Sequence, residues 1–165
     1  MIAIEPISPK NVSVFKAVRL WALGESPAAF GSTYACESQL SDAEWLERVA
    51  QFTGAQSVGY LAMDAQTACG LVRATVEDHD SVVAWVESMW VAPWRRKTGI
   101  GRLLVGEVLA WARGRGIRAL KLSVTSNNDP AIHFYQGLGF VRTGKTEPYP
   151  CDPALVECEM LLALS

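Results

Sequence analysis

Residues 82–91, VVAWVESMWV, are mostly β-branched or aromatic and make the strongest strand signal in the chain. Their near-continuous apolarity predicts a strand buried on both faces. Pro93 ends it, since proline cannot donate to a sheet ladder. WRRKTGIG follows at 94–101, and then Ile100, Leu103, Leu104, Val108 and Trp111 recur on one helical stripe. Strand, cationic turn and helix in immediate succession demand a sheet with helices packed against it. The turn also gathers Arg95, Arg96 and Lys97 with two glycines at a helix start. Backbone N–H groups lack partners there, the helix dipole adds positive charge, and glycine admits close approach. A phosphate group can use all three.

The remaining segments fit a mixed sheet. IAIEPI is a first strand, and Ser8-Pro9 opens a helix carrying Val12, Phe15, Val18 and Ala22. Residues 24–40 read as a long loop with a short helix. Ser41 and Glu44 form a capping box before Trp45, Leu46 and Val49. SVGYLAMD and TACGLVRATVE are strands joined by a tight turn at Ala65-Gln66. RALKLSVTS is a strand, NNDP starts a helix, and FVRTGKT and ALVECEMLLAL close the chain as strands, with TEPYPCDPAL between them as a loop. The order is strand, helices, three strands, helix, strand, helix, two strands, which is an α/β (α+β) pattern.

The 165 residues suit a single domain, 1–165. Half of them are hydrophobic, enough for one core, and the formal net charge is −2, so no basic field for nucleic acid exists and any anion site is local. No apolar run reaches the ~20 residues of a membrane span. The opening MIAIEPISPK lacks the pattern of a signal peptide, so a cytoplasmic setting with reduced thiols is expected. Cys36, Cys69, Cys151 and Cys158 make no C-x-x-C pair and there are two histidines, so no metal site is expected. The glycine loop is neither a Walker A string nor a dinucleotide fingerprint, which would need glycine where Leu104 stands.

VESMWVAPWRRKTGIGRLLV resembles motif A of the GNAT-type N-acetyltransferase superfamily, whose signature R/Q-x-x-G-x-G/A corresponds to Arg96-Lys97-Thr98-Gly99-Ile100-Gly101. NNDPAIHFYQGLGF is similar to a second family block, with Asn128, Ala131, Tyr135, Gly139 and Phe140 in register. One departure is Lys97, where many members have glycine. The resemblance implies a mostly antiparallel central sheet, flanked by helices and splayed between strands four and five. It further implies acetyl-CoA in that wedge, with the diphosphate at Arg96, Lys97, Thr98, Gly99, Ile100, Gly101 and Arg102. The pantetheine arm would pair with Met89, Trp90 and Val91, and Asn128 and Tyr135 would contact the cofactor. Residues 56–165 would be the acetyl-CoA-binding core and 1–55 the substrate side. The resemblance also admits a homodimer.

Acetyl transfer needs a neutral amine, a stabilised oxyanion and a proton for the departing thiolate. The resemblance makes Tyr135 the proton donor; the alternative is a core aromatic beside Phe134. Glu87, a carboxylate inside an apolar strand, is the candidate base, since burial favours proton acceptance. The alternatives are an ion pair with an arginine or a side chain reaching the mouth of the sheet. Without a bulge, Trp85, Glu87 and Met89 share a face. Asn128 caps a helix, contacts the cofactor arm, or both. A backbone N–H near Val91 would stabilise the oxyanion. His79 and His133 receive no role. The acceptor would be selected by residues 19–40, where Glu25, Phe30, Tyr34 and Glu37 are candidates, and by the 146–155 loop. Those residues read equally as an ordinary surface. The expected activity is N-acetylation of a small-molecule or peptide amine by direct transfer. The rival is a non-catalytic acyl-CoA-binding sensor or interaction module.

Overall fold

A computed structural model describes residues 1–27, 30, 32–150 and 152–165. Seven strands form one sheet in the order β1-β2-β3-β4-β5-β7-β6. The strands are β1 (Ile2–Pro6), β2 (Ser57–Asp64), β3 (Thr67–Glu77), β4 (Asp80–Val91), β5 (Ala119–Thr125), β6 (Val141–Tyr149) and β7 (Asp152–Ala163). The helices are α1 (Val12–Glu25), α2 (Tyr34–Glu37), α3 (Asp42–Gln51), α4 (Ile100–Gly114) and α5 (Asp129–Gly137). All strand pairs are antiparallel except β4 with β5.

Local chemistry explains the helix starts. Ser41 accepts from the Glu44 N–H and Glu44 reaches back to the Ser41 N–H, the reciprocal cap read from the sequence. Asn128 caps α5 by accepting from the Ala131 N–H at 3.3 Å. α4 differs: its N-cap is Gly99 at φ 91°, with no side-chain hydrogen bond over the first turn.

The sheet is covered on both faces. On one, Phe52 follows α3, packs edge-on against Phe15 of α1, and lies under the Arg73 guanidinium of β3. On the other, Leu104 of α4 reaches Gly70 of β3, where a Cβ would stand 3.2 Å from it. Residues 70 and 73 differ in parity, as opposite faces of one strand require.

Two expectations change here. Burial on both faces belongs to β3, whose residues Ala68–Val72 are all buried, because β3 lies between β2 and β4 and under helices on both sides. The second half of β4 is only part-buried. The segment 146–155 is also not chiefly a loop. Glu147 and Pro148 pair with Glu157 and Val156, and Tyr149 pairs with Asp152, so β6 and β7 stay paired through most of that stretch. Proline is tolerated at 148 because β6 is the edge strand.

The decisive feature is how little β4 and β5 share. They pair only at Val83–Trp85 with Ala119–Lys121, and beyond that Val86–Val91 and Leu122–Thr125 have no partners in each other. The parting begins there because β4 is held on its other side by β3, while β5 follows β7 over its whole length.

Candidate active site

The parted strands open on a cavity of about 630 Å³. Trp85, Val86, Glu87 and Ser88 of β4 line one arm, and Ser123 of β5 and Glu157 of β7 line the other. Arg19, Phe30, Glu37 and Arg48 complete the wall.

β4 is bulged at this point. Between the pairs Arg73–Glu87 and Leu71–Trp90, β3 advances two residues and β4 three. Ser88 takes up the extra length at φ 56°, a left-handed conformation that costs a serine about 1 kcal/mol or more. Its hydroxyl accepts from Arg19 Nη1 at 2.9 Å. The same guanidinium grips Glu37 with Nε at 3.0 Å and Nη2 at 2.9 Å, and Arg48 reaches Glu37 at 3.1 Å. Arg19 is 6% exposed and Glu37 is 1% exposed, so this ion cluster is interior. Burial pushes the Glu37 carboxyl up, but hydrogen bonds and charge from Arg19, with help from Ser32 and Arg48, outweigh it and hold the group below its usual range. Glu37, a candidate for receiving an amine, is thus already neutralised by two arginines. Arg19 was missed in the sequence, although its place four residues after Phe15 puts it on the buried side of α1.

The bulge breaks the expected alternation: Trp85 and Glu87 share a face, but Met89 lies past the added residue. Glu87 is on the cavity wall and ion-paired with Arg73 at 2.9 Å. Its side chain is 41% exposed, not buried. The open second half of β4 keeps it near solvent.

The glycine loop is tied to its neighbours through two of its cations. Arg95 pairs with Asp64 at the end of β2. Arg96 donates through Nε to the Val91 carbonyl at 2.9 Å and through Nη2 to Glu25 at 2.8 Å. Glu25 also accepts from Trp90 Nε1 at 3.2 Å. Burial pushes Glu25 up, yet hydrogen bonds from Ser26 and Trp90 and the charge of Arg96 hold it below the usual range. Glu25 therefore sits at the loop, away from the cavity lining where it was expected. Lys97 and Arg102 are exposed and make no ion pair among the described residues. Thr98 donates to the Arg95 carbonyl and is exposed, while Ile100 is buried beneath the turn. Val91 pairs with Gly70 of β3.

Gly101 joins three elements. A Cβ there would lie 3.0 Å from Met89 Cε of β4 and 3.0 Å from Phe134 Cζ of α5. Only a glycine lets α4 approach both this closely. The contact brings α5 to the parting, with Tyr135 buried between Phe134 and Phe140. Burial pushes the Tyr135 phenol above the ordinary tyrosine range, and its hydroxyl has no hydrogen-bond partner among the described residues.

Of the acceptor candidates, Phe30 is buried on the cavity wall beneath Arg19, 4.9 Å from ring centre to guanidinium, and its carbonyl accepts from Tyr149. Tyr34 begins α2, is 51% exposed and does not line the cavity. Ala28, Ala29 and Gly31 of the first acceptor stretch and Cys151 of the second lie outside the described residues. Among the described residues no His/Cys/Asp/Glu cluster suits a metal, and no helix is long and apolar enough to cross a membrane.

Known proteins are similar to this chain in sequence and in fold. Streptothricin acetyltransferase of Streptomyces lavendulae is 46% identical over 59 residues, covering 36% of this chain and 31% of that protein. Mycothiol acetyltransferase of Thermobispora bispora is 37% identical over 87 residues, covering 50% of this chain and 30% of that protein. The chain therefore spans about a third of the length of these curated relatives. A GNAT-family acetyltransferase structure from Streptococcus pneumoniae superposes over the whole of both chains with a TM-score of 0.84 at 22% identity, which speaks for the fold. The sequence model of the acetyltransferase (GNAT) family matches residues 20–140, and the chain belongs to that family.

Proposed function

We propose that the chain is an acetyl-CoA-dependent N-acetyltransferase that moves an acetyl group to a primary amine of a small molecule or peptide by direct transfer in a ternary complex. The observation that carries this reading is the parting of β4 from β5 beside the glycine loop, with the Tyr135 phenol brought there through α5. Family membership and the similarity to streptothricin and mycothiol acetyltransferases support it.

The residues fit such a cofactor. Among the described residues the edge of β4 at Met89–Val91 faces no strand beyond the parting, so its backbone groups other than the Val91 carbonyl, which accepts from Arg96, are open to an amide-bearing arm. The uncapped first turn of α4 and the exposed Lys97 and Arg102 suit a diphosphate. Arg96 orders the loop through Val91 and Glu25, and Asn128 fixes the start of the Tyr135 helix. When bound, acetyl-CoA supplies the acyl group as an activated thioester.

Tyr135 holds a proton over the whole working pH range and donates it toward the sulfur side of the parting. Glu87 takes the amine proton once its pairing with Arg73 loosens. Direct transfer agrees with the state of Cys69. Cys69 is buried, donates to the Ala62 carbonyl at 3.4 Å and has its thiol pushed up by burial, which disfavours the thiolate.

Lys97 stands at φ 63°, where many relatives of this family have glycine. Lys97→Gly is expected to leave stability within about 1 kcal/mol, since relief of strain offsets added chain entropy. It should weaken acetyl-CoA binding several-fold and flatten its salt dependence, as titration calorimetry at two ionic strengths would show. The function itself is tested by an amine screen that detects released CoA thiol. Turnover with a primary amine is expected; tight CoA binding with no release from any amine would favour the sensor reading.

A further inference from the structure

Ser88 is the strained residue of the cavity wall, and its conformation places a hydroxyl where a regular strand could not. In an unbroken strand residues 87 and 88 would point to opposite faces of the sheet. The left-handed turn at Ser88, φ 56°, re-aims its side chain. Its hydroxyl meets Arg19 while Glu87 beside it meets Arg73, and all of these residues line the same cavity. Glycine or asparagine adopts this backbone at lower cost, so what the serine adds is the hydroxyl. That hydroxyl accepts from Arg19 Nη1 at 2.9 Å and has no acceptor for its own proton among the described residues. A hydroxyl that accepts from a cation is polarised and donates more strongly. The charge behind it is not fully cancelled. Arg19 and Arg48 share the one carboxylate of Glu37, so this side of the cavity carries a positive excess.

The location narrows the role. Glu87 and Ser88 are consecutive, with Cα atoms about 3.8 Å apart. Glu87 is the carboxylate proposed to take the amine proton, so the Ser88 hydroxyl meets an atom only a few bonds from that nitrogen. A hydroxyl proton backed by positive charge calls for an oxygen there. We propose that Ser88, held and polarised by Arg19, is a specificity-determining residue that donates to an oxygen neighbouring the acceptor amine. Arg19 is its positioning residue. The acceptor class is then an amino alcohol or an α-amino acyl group, and not a plain alkyl amine or polyamine. The inference rests on the acetyltransferase reading above and extends it.

The test uses the full chain, acetyl-CoA and amines paired by shape: ethanolamine with propylamine, and glycinamide with isobutylamine. The readout is the ratio of kcat/KM within each pair, in wild type and in Ser88→Gly. That ratio does not depend on how much enzyme is folded, and amine basicity cancels between the two proteins. Glycine suits the left-handed backbone, so the variant deletes the hydroxyl without adding strain. Ser88→Gly should lower the ratio about fivefold or more, chiefly through KM of the oxygen-bearing amine, and the pair that responds more tells a hydroxyl from a carbonyl oxygen. The double replacement Arg19→Met with Glu37→Leu keeps the hydroxyl and removes its donor, so it should lower the ratio by a smaller factor. A control pair, with the hydroxyl at the far end of a six-carbon amine, should give the same ratio in all proteins. An unchanged ratio for both short pairs in Ser88→Gly or in the double variant, or an equal fall in the control pair, overturns the proposal while leaving the acetyltransferase reading intact. Thiol release from no amine at all contradicts that reading and the proposal together.

Discussion

Replacement of Glu37 by glutamine is expected to lower the melting temperature by about 10 °C. The change leaves the Arg19 guanidinium, 6% exposed, without its bidentate partner. Breaking a buried pair from one side costs about 3–5 kcal/mol, and a chain of this size loses about 2–4 °C per kcal/mol. The pH dependence follows by sign. The folded Glu37 carboxyl lies below its unfolded value of 4.5, so its contribution is present above that value and lost as pH falls through the folded one. Glu37→Gln should therefore flatten the acid limb below about pH 4.5 in thermal melts across pH. The double replacement Arg19→Met with Glu37→Leu should regain most of the melting temperature, since apolar groups of similar volume commonly replace buried ion pairs without loss. It also removes the donor that holds Ser88 in the β4 bulge, so acceptor KM should stay raised. Recovery of both properties would show that the cluster serves stability alone.

The second large effect is on turnover. Tyr135→Phe is expected to lower kcat about 100-fold, the scale of a lost proton donor, with acetyl-CoA affinity unchanged. Its melting temperature should equal that of wild type, because among the described residues the hydroxyl has no hydrogen-bond partner to lose. Burial holds the Tyr135 phenol above the ordinary tyrosine range, so the group stays protonated. Wild-type kcat should accordingly show no falling limb from this group up to pH 10. Full activity of the phenylalanine variant would return Tyr135 to the role of a core aromatic between Phe134 and Phe140.

Much of the architecture was legible because it is local. Period-2 and helical patterning located the strands and helices, Ser41 with Glu44 announced α3, and Asn128 announced α5. The two spaced motifs carried the splayed sheet, which no single segment encodes. What escaped depends on partners distant in sequence. Glu25 belongs to Arg96 and Trp90, and Glu37 to Arg19 and Arg48, so acids that looked free for a substrate are spent inside the fold. The bulge at Ser88 is a property of register between β3 and β4, invisible in either strand alone. The opposition of Glu147 and Glu157 likewise appears only when β6 and β7 pair, and the apparent loop at 146–155 concealed that pairing.

The central claim is that the parted strands and the glycine loop together hold a thioester carrier. A crystal structure with bound CoA tests it most directly. The account predicts the pantetheine arm along Met89–Val91 between β4 and β5, the diphosphate against the amides of 97–102, and the sulfur beside the Tyr135 hydroxyl. CoA seated elsewhere on the molecule, with β4 and β5 zipped together beyond Trp85 and Lys121, would contradict it.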